Sequence, residues 1–506
     1  MPEKTGAGKA GPGKAGAGKA GPGKAGPGKA DADKADFDDL RYATARSLAA
    51  AIKDRRISPV ELLDASLARI DEVDDRVNAI VWRNDDDARR LAKKAADEVV
   101  HRERNDLPPF HGVPIPIKDL TPVAGWPVTY GSWAASDKPS DESELIVGAF
   151  QKAGFILTAR TNTPELGPVT VAENDRYGIT RNPWNLDHTP GGSSGGAGAA
   201  VAAGMFSVAH GNDGGGSIRI PSSCCGLVGL KVSRGRIPTR VNSWEGGSVE
   251  GFLTRDVADT AAILDVTCGP DLGQWYNAPA PSRPFVEEVG AEPGKLRIGL
   301  LDEPPLRLTL DEDCAVAARE AGAALETLGH HVDEVSYEVP DEFMAAFLKV
   351  VNSGLADYDV DWTKVEPHIR VNRAAALAVD SLAYVQGVHD LQRFTRHITA
   401  QWGRDFDVLL TPTMTILPPR AGEVLAAVHA GAETGLPAMQ VFQMAVLTSG
   451  FNMTGQPAIS VPTHMTPAGI PVGVQLVGGP WDEVTILRLA AQLEQELPWA
   501  ERRPPL

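Results

Sequence analysis

Apolar positions along the chain follow two periods. In ISPVELLDASLARIDEVDDRVNAI, Val60, Leu63, Leu67 and Ile70 recur at helical spacing and predict an amphipathic helix. Ser58 precedes Pro59, and Glu61 follows three residues after the serine. That pattern is a capping box with proline at the first helical position, so the helix starts there. DDDARRLAKKAADEVV predicts a second helix, with its acidic residues at the positive end of the helix dipole. From there short β-rich runs alternate with helical ones: FILTAR, GLVGLKV, KLRIGLL, FDVLLTPT, AISVP and PVGVQLVG. Helices fit 142–153, 197–209, 311–328 and 482–496. This alternation predicts an α/β fold, a mixed central sheet covered by helices on both faces. No linker divides residues 37–506, which are expected to form a single domain.

The N-terminus breaks the pattern. Residues 6–30 repeat a five-residue unit, GAGKA or GPGKA, with nothing to bury, and predict a disordered arm over residues 1–36. Its first 30 residues hold six lysines against one glutamate. Such segregated charge can touch anionic polymers or an acidic neighbour, and a solubilising tail without a partner is the plainer expectation. The whole chain has a formal net charge of −17, which argues against nucleic-acid binding by the body. The longest apolar-looking run, 197–209, is too short for a membrane span and carries glycines, so a buried helix is expected there. No apolar stretch follows Met1 as a secretory signal would require, and the cytoplasm is the expected compartment. Cys224, Cys225, Cys268 and Cys314 make no disulfide framework and have no metal-ligand spacing. Cys224 and Cys225 are expected to pack as small hydrophobes. Neither a metal nor a cofactor is expected.

The segment HTPGGSSGGAGAAVAAGMFSVAHGNDGGGSIRIPSS holds two glycine-flanked serine sites, Ser193/Ser194 and Ser217. Glycine nests bring backbone N–H groups close to something negative, a phosphate or a developing oxyanion. A phosphate loop needs its glycines to run into Lys-Ser/Thr, and neither site does so. The serine-hydrolase elbow G-x-S-x-G is also absent, because Ile218 and Arg219 follow Ser217. His210, seven residues before Ser217, reads as a structural histidine. What remains is a serine nucleophile whose base is not histidine. Lys118 ends the extended run GVPIPIK, in which Val113, Ile115 and Ile117 share one face and Lys118 points the other way with Pro114 and Pro116. With an ordinary pKa only about one lysine in a few thousand is neutral at pH 7, so a lysine base must sit in a dry pocket.

Lys118 in GVPIPIKDL, Ser193 in GGSSGG and Ser217 in DGGGSIRIP, with the two serines 24 positions apart, resemble the amidase signature family. TNTPELG, TRNPWNLDHTPGGSSGG, DVLLTPT and FNMTGQPAISVP extend the likeness from about Tyr42 to the C-terminus. The resemblance implies a Lys–Ser–Ser triad with a cis peptide bond before the first serine. It implies a metal-free amidohydrolase acting on a small amide, anilide or carbamate. Lys118 and Ser193 would relay the proton of Ser217, the nucleophile, and return it to the leaving amine. The backbone N–H groups of Gly214, Gly215, Gly216 and Ser217 would hold the oxyanion. Asp213 and Arg219 are expected to brace this loop as an ion pair. Ser194 is expected to bond within the loop or assist Ser193. Thr129 to Ser132 are expected near the leaving group, and Asn174 and Trp184 are assigned to structure.

VAHGNDGGGSIRIP and LEQELPWAERRPPL look most like the bacterial hydrolases of cyclic nylon oligomers, which carry a substrate-contacting cysteine in a variable middle region. The corresponding stretch here, FLKVVNSGLADYD, has none. Two other readings share these residues: the ammonia-producing subunit of a tRNA-dependent amidotransferase, and a non-catalytic binding or assembly protein. The segments 338–400 and 415–445 are rich in Ala, Leu, Val, Met and Phe, which predicts an apolar pocket favouring uncharged acyl groups. The expected ligand is a small molecule, without nucleic acid or membrane, and a homodimer is the common assembly for such enzymes.

Overall fold

The structure is a computed structural model that describes residues 40–301, 303–305, 308–336, 339–340 and 342–506. The lysine-repeat arm lies outside the described residues. The first long helix, Pro59–Val77, starts as expected: Ser58 accepts from the Glu61 N–H at 3.1 Å, and Glu61 accepts from the Ser58 N–H at 2.8 Å. Helix Asp85–His101 follows strand β1 (Ile80–Arg83). Strands β2 (Pro114–Lys118) and β3 (Ile156–Thr161) run parallel, and β1 joins them antiparallel in a three-stranded sheet ordered β1-β3-β2. All five residues of β2 are buried, so both of its faces are covered and the apolar-polar alternation read from GVPIPIK does not separate core from solvent. Glu173–Asn174 (β4) and Gly178–Ile179 (β5) form a short hairpin.

The remaining strands form one mixed sheet. They are β6 (Ala209–Asp213), β7 (Val228–Lys231), β8 (Val249–Thr254), β9 (Arg297–Leu300), β10 (His331–Glu334), β11 (Val408–Pro412), β12 (Ala458–Met465) and β13 (Pro471–Val477). Their order is β10-β9-β11-β13-β12-β7-β8-β6, parallel where β10, β9 and β11 meet and antiparallel elsewhere. Alternation in β13 sorts its two faces. Val472, Val474 and Leu476 join Ile459 and Val461 in the core beneath helices Val257–Thr267, Glu312–Thr327 and Glu483–Glu496. The opposite face carries Gly473 and Gln475, which bond to Ser223 and Arg219 of helix Arg219–Cys225. The sheet is covered on both faces, as expected.

Two helices are shorter than their sequence pattern. The helix expected over 197–209 runs Gly195–Ala202, because Gly204 takes a left-handed conformation (φ +75°) and turns the chain into β6. The helix expected over 142–153 begins at Leu145, whose N–H is capped by the Glu144 carboxylate at 2.9 Å. No helix of the described residues is long and apolar enough to cross a membrane.

Candidate active site

Lys118 is the last residue of β2, and its ammonium end is fully buried. Its Nζ lies 2.7 Å from Ser193 Oγ, 2.9 Å from Ser194 Oγ and 2.7 Å from Asn212 Oδ1. Burial drives its pKa from 10.5 down to about 7, against the pull of the Glu250 and Asp213 carboxylates, which favour the charged form. The dry site that a lysine base requires is therefore present. A second buried lysine, Lys231, is also pushed to about 7, but its Nζ donates to the Val232 carbonyl at 2.9 Å. Of these two lysines, Lys118 is the one that faces the serines.

Ser193 and Ser194 stand where the GGSSGG loop enters helix Gly195–Ala202, and the Gly192–Ser193 peptide bond is cis. A Cβ on Gly196 would come within 2.4 Å of the Asn162 backbone, so the helix packs closer than any larger residue allows. Ser194 Oγ also donates to the Asn212 carbonyl at 3.2 Å, and its N–H donates to the Ser217 carbonyl at 3.1 Å. It ties the GGSSGG loop to the loop that carries Ser217, and it too lies within hydrogen-bond distance of the lysine. Ser217 Oγ makes no side-chain hydrogen bond among the described residues and lies, half-buried, on a cavity wall.

Between β6 and helix Arg219–Cys225 the chain turns through Gly214-Gly215-Gly216-Ser217 around the carboxylate of Asp213. Asp213 accepts from the N–H of Gly216 at 2.8 Å and of Ile218 at 3.1 Å. It pairs with Arg219 at 2.8 Å, and both side chains are fully buried. Arg219 also donates to Gln475 Oε1 and Asn452 Oδ1, each at 2.7 Å. The expected bracing ion pair is present. The Gly216 N–H, however, is committed to Asp213, which removes Gly216 from the expected oxyanion donors. Its glycine is required for another reason: φ is +128°, and a Cβ would meet Thr448 Oγ1 at 2.4 Å. The N–H groups of Gly214, Gly215 and Ser217 have no acceptor in the turns and loops of the described residues.

His210, on β6, is buried as expected: Nδ1 accepts from the Lys118 N–H at 3.3 Å and Nε2 lies 2.6 Å from Glu250 Oε2. Cys224 and Cys225 are buried, and burial pushes both thiols up, in keeping with a packing role. The Thr129–Ser132 turn is organised by Asp119, which accepts from the Thr129 N–H at 3.0 Å and the Gly131 N–H at 3.3 Å. Tyr130 from that turn reaches the cavity. Asn174 Nδ2 donates to Asn162 Oδ1 and the Thr163 carbonyl, and Trp184 Nε1 donates to the Cys225 carbonyl.

The cavity, about 390 Å³, holds Ser193, Asn212, Gly214 and Ser217 in its wall. That volume suits a small organic ligand. Its lining corrects the expectation of an apolar pocket, since Glu144, Glu250, Asp357 and Asp359 line it beside Leu120, Leu166, Val241 and Trp244. Asp357 and Asp359 have no side-chain hydrogen bond or ion pair among the described residues and stand exposed at the rim. These two come from the variable segment 338–400, whereas none of the lining residues falls in 415–445. The apolar residues of the first segment face inward instead: Phe343, Ala346 and Val350 of helix Phe343–Leu355 pack with Leu391 and Phe394. Sequence reasoning also missed Asp119 and Asn212, which stand inside the motifs GVPIPIKDL and VAHGNDGGGSIRIP without a role assigned to them, and Trp244, which stands in no motif.

An α/β sheet with a buried lysine against a glycine-flanked serine defines a class, and the comparisons agree with it. The Amidase family matches residues 61–487, and the chain belongs to the amidase signature family. It is an enzyme of amide C–N hydrolysis. The chain is similar to the 6-aminohexanoate-cyclic-dimer hydrolase of Paenarthrobacter ureafaciens, with 38% identity over 91% of this chain and 96% of that protein. It is 32% identical to an acylamidase of Rhodococcus erythropolis, covering 92% of this chain and 98% of the relative. A solved structure of 6-aminohexanoate cyclic dimer hydrolase complexed with substrate superposes with a TM-score of 0.85 at 36% identity, covering 92% and 99% of the two chains.

Proposed function

We propose that Ser217 is the nucleophile of a serine amidohydrolase, with Lys118 and Ser193 as its proton relay. The observation that carries this reading is the contact of the buried Lys118, its pKa brought down to about 7, with Ser193 at 2.7 Å, in the wall of the cavity that Ser217 also lines. Neutral Lys118 takes the proton of Ser193, Ser193 takes that of Ser217, and Ser217 Oγ attacks the substrate carbonyl carbon. The Gly215 and Ser217 N–H groups, with Gly214 beside them, stabilise the tetrahedral oxyanion. Lys118 then returns its proton through Ser193 to the leaving nitrogen, and the C–N bond breaks. Water attacks the acyl-enzyme by the reverse relay, releasing the acid and restoring Ser217.

The substrates are small amides, and the four lining carboxylates favour those with a cationic or neutral polar arm over anionic ones. Linear aminohexanoate oligomers, which end in an ammonium group, fit this rim, and the similarity to the cyclic-dimer hydrolase supports that class. Similarity along nearly the whole length of relatives named as hydrolases favours this reading over an amidotransferase subunit or a binding protein. The test is a panel of aliphatic amides, anilides, aryl carbamates and linear and cyclic aminohexanoate oligomers, run on the wild type and on Ser217→Ala. Turnover that disappears in the variant supports the reading. Equal turnover by both proteins overturns it.

A further inference from the structure

Away from the catalytic cavity, Glu366, His368 and His429 bring one ligand atom each within 4.8 Å of one another. Glu366 caps helix Pro367–Leu377, His368 lies in its first turn, and His429 comes from helix Glu423–Thr434. Glu366 Oε2 is the hub, 3.0 Å from His429 Nε2 and 3.5 Å from His368 Nδ1. Zinc bound at about 2.0–2.1 Å to imidazole and carboxylate separates neighbouring ligand atoms by a little over 3 Å, close to both measured edges.

The second observation is His368 itself. It is only 5% exposed, yet neither of its ring nitrogens has a hydrogen-bond partner. A buried imidazole with both nitrogens unpaired is rare and costly, because it has lost water and gained nothing in exchange. Both nitrogens are thus unused by the protein, and one of them lies within reach of the other two ligand atoms. The remaining Glu366 oxygen is already oriented, accepting from the Asp175 N–H at 2.9 Å. The Glu366 N–H donates to Glu165 at 2.6 Å. A carboxylate held in this way resembles the outer contacts that orient metal ligands.

We propose that Glu366, His368 and His429 form a binding site for a divalent cation of the zinc class. Two imidazoles and one carboxylate select a borderline transition metal over magnesium or calcium, which take oxygen ligands. The ion would clamp helix Pro367–Leu377 to helix Glu423–Thr434. Its influence reaches the catalytic cavity through Glu165, since Leu166 and Gly167 next to it line that cavity. The sequence shows no spacing for this site because His429 comes from a distant helix.

The experiment is a Zn²⁺ titration of the full-length, untagged chain after chelator treatment and buffer exchange, against a colorimetric competitor, with thermal melting in parallel. One equivalent bound at micromolar or tighter affinity, with a raised melting midpoint, is the expected result. His368→Phe and His429→Gln should each weaken Zn²⁺ binding at least tenfold and abolish the zinc-dependent shift in melting. His429 is partly exposed, so its variant keeps the test valid should His368→Phe fail to fold. Glu320→Gln, which alters the surface contact of His464, should bind as the wild type does. No stoichiometric binding, as when a water pairs His368 instead, would overturn the proposal. So would binding that survives both histidine variants.

Discussion

A Cβ on Gly214 would stand 2.1 Å from Cζ3 of Trp244, so the loop that carries Ser217 is shaped against an indole. The other side of that indole meets Gly354, where a Cβ would come within 2.6 Å of Trp244 Cδ1. Trp244 has a left-handed backbone (φ +55°) and lines the cavity between the two glycines. Gly214→Ala is expected to lower kcat at least tenfold and to destabilise the fold by about 1–3 kcal/mol through overpacking. Trp244→Ala in the same chain should recover part of both losses. Gly215→Ala, whose Cβ approaches nothing closer than Ser449 at 3.8 Å, should fold as the wild type does in urea melts. Equal destabilisation by both alanines would contradict this.

Removing the proposed nucleophile or its proposed base should cost far more. Ser217→Ala and Lys118→Met are each expected to lower kcat by about 10³–10⁶-fold with little change in fold, measured on the best substrate of the panel. Combining them should add little, because the two groups act as one unit. A Lys118→Met enzyme within tenfold of wild type would remove lysine from the mechanism.

The pH profile follows from the same lysine. Lys118 must be neutral to accept a proton, and burial brings its pKa to about 7. The active fraction therefore grows as pH rises through about 7 and shrinks below it, so kcat/KM should fall about tenfold per pH unit on the acid side. The Glu250 carboxylate raises this pKa, so Glu250→Gln should move the acid limb to lower pH. A flat profile between pH 5 and 9 would be incompatible with a lysine base.

Asp213→Asn tests the brace. Burial alone would raise the Asp213 pKa, but Arg219 and Asn452 overcome it and hold the carboxyl well below the usual range. A depressed carboxyl pKa means stability that is present above its unfolded value, about 3.9, and lost as pH falls below it. Leaving Arg219 buried and uncompensated should cost about 3–5 kcal/mol in a urea melt at pH 7. A loss under 1 kcal/mol would show the pair to be dispensable.

The acidic rim makes a claim about affinity. Asp357→Asn with Asp359→Asn should raise KM several-fold for amides bearing an ammonium group and leave it unchanged for neutral anilides. The same shift for both substrates would mean the rim reshapes the cavity and does not read charge.

Features carried by local chemistry were legible in the chain. The capping box at Ser58 and Glu61, the extended run ending at Lys118, and the α/β alternation depend on neighbours within a few residues. So do the three motifs that hold Lys118, Ser193 and Ser217. The error over 197–209 came from reading apolar continuity past Gly204, where the left-handed turn outweighs the helical pattern.

By itself the sequence determined which residue types exist for the chemistry, and the order of elements that would present them. Tertiary packing decided the electrostatics and the partners. Lys118 has the lowered pKa that the proposed base requires only because β2 is buried on both faces, and no local pattern measures desolvation. The Gly216 N–H is taken up because Asp213, three residues away, folds back onto it. The cavity is acidic because the apolar residues of helix Phe343–Leu355 turn inward and leave Asp357 and Asp359 at the rim. Glu366, His368 and His429 meet because two helices distant in sequence pack together. Burial and distance are properties of the folded chain, and neither can be read from residue spacing.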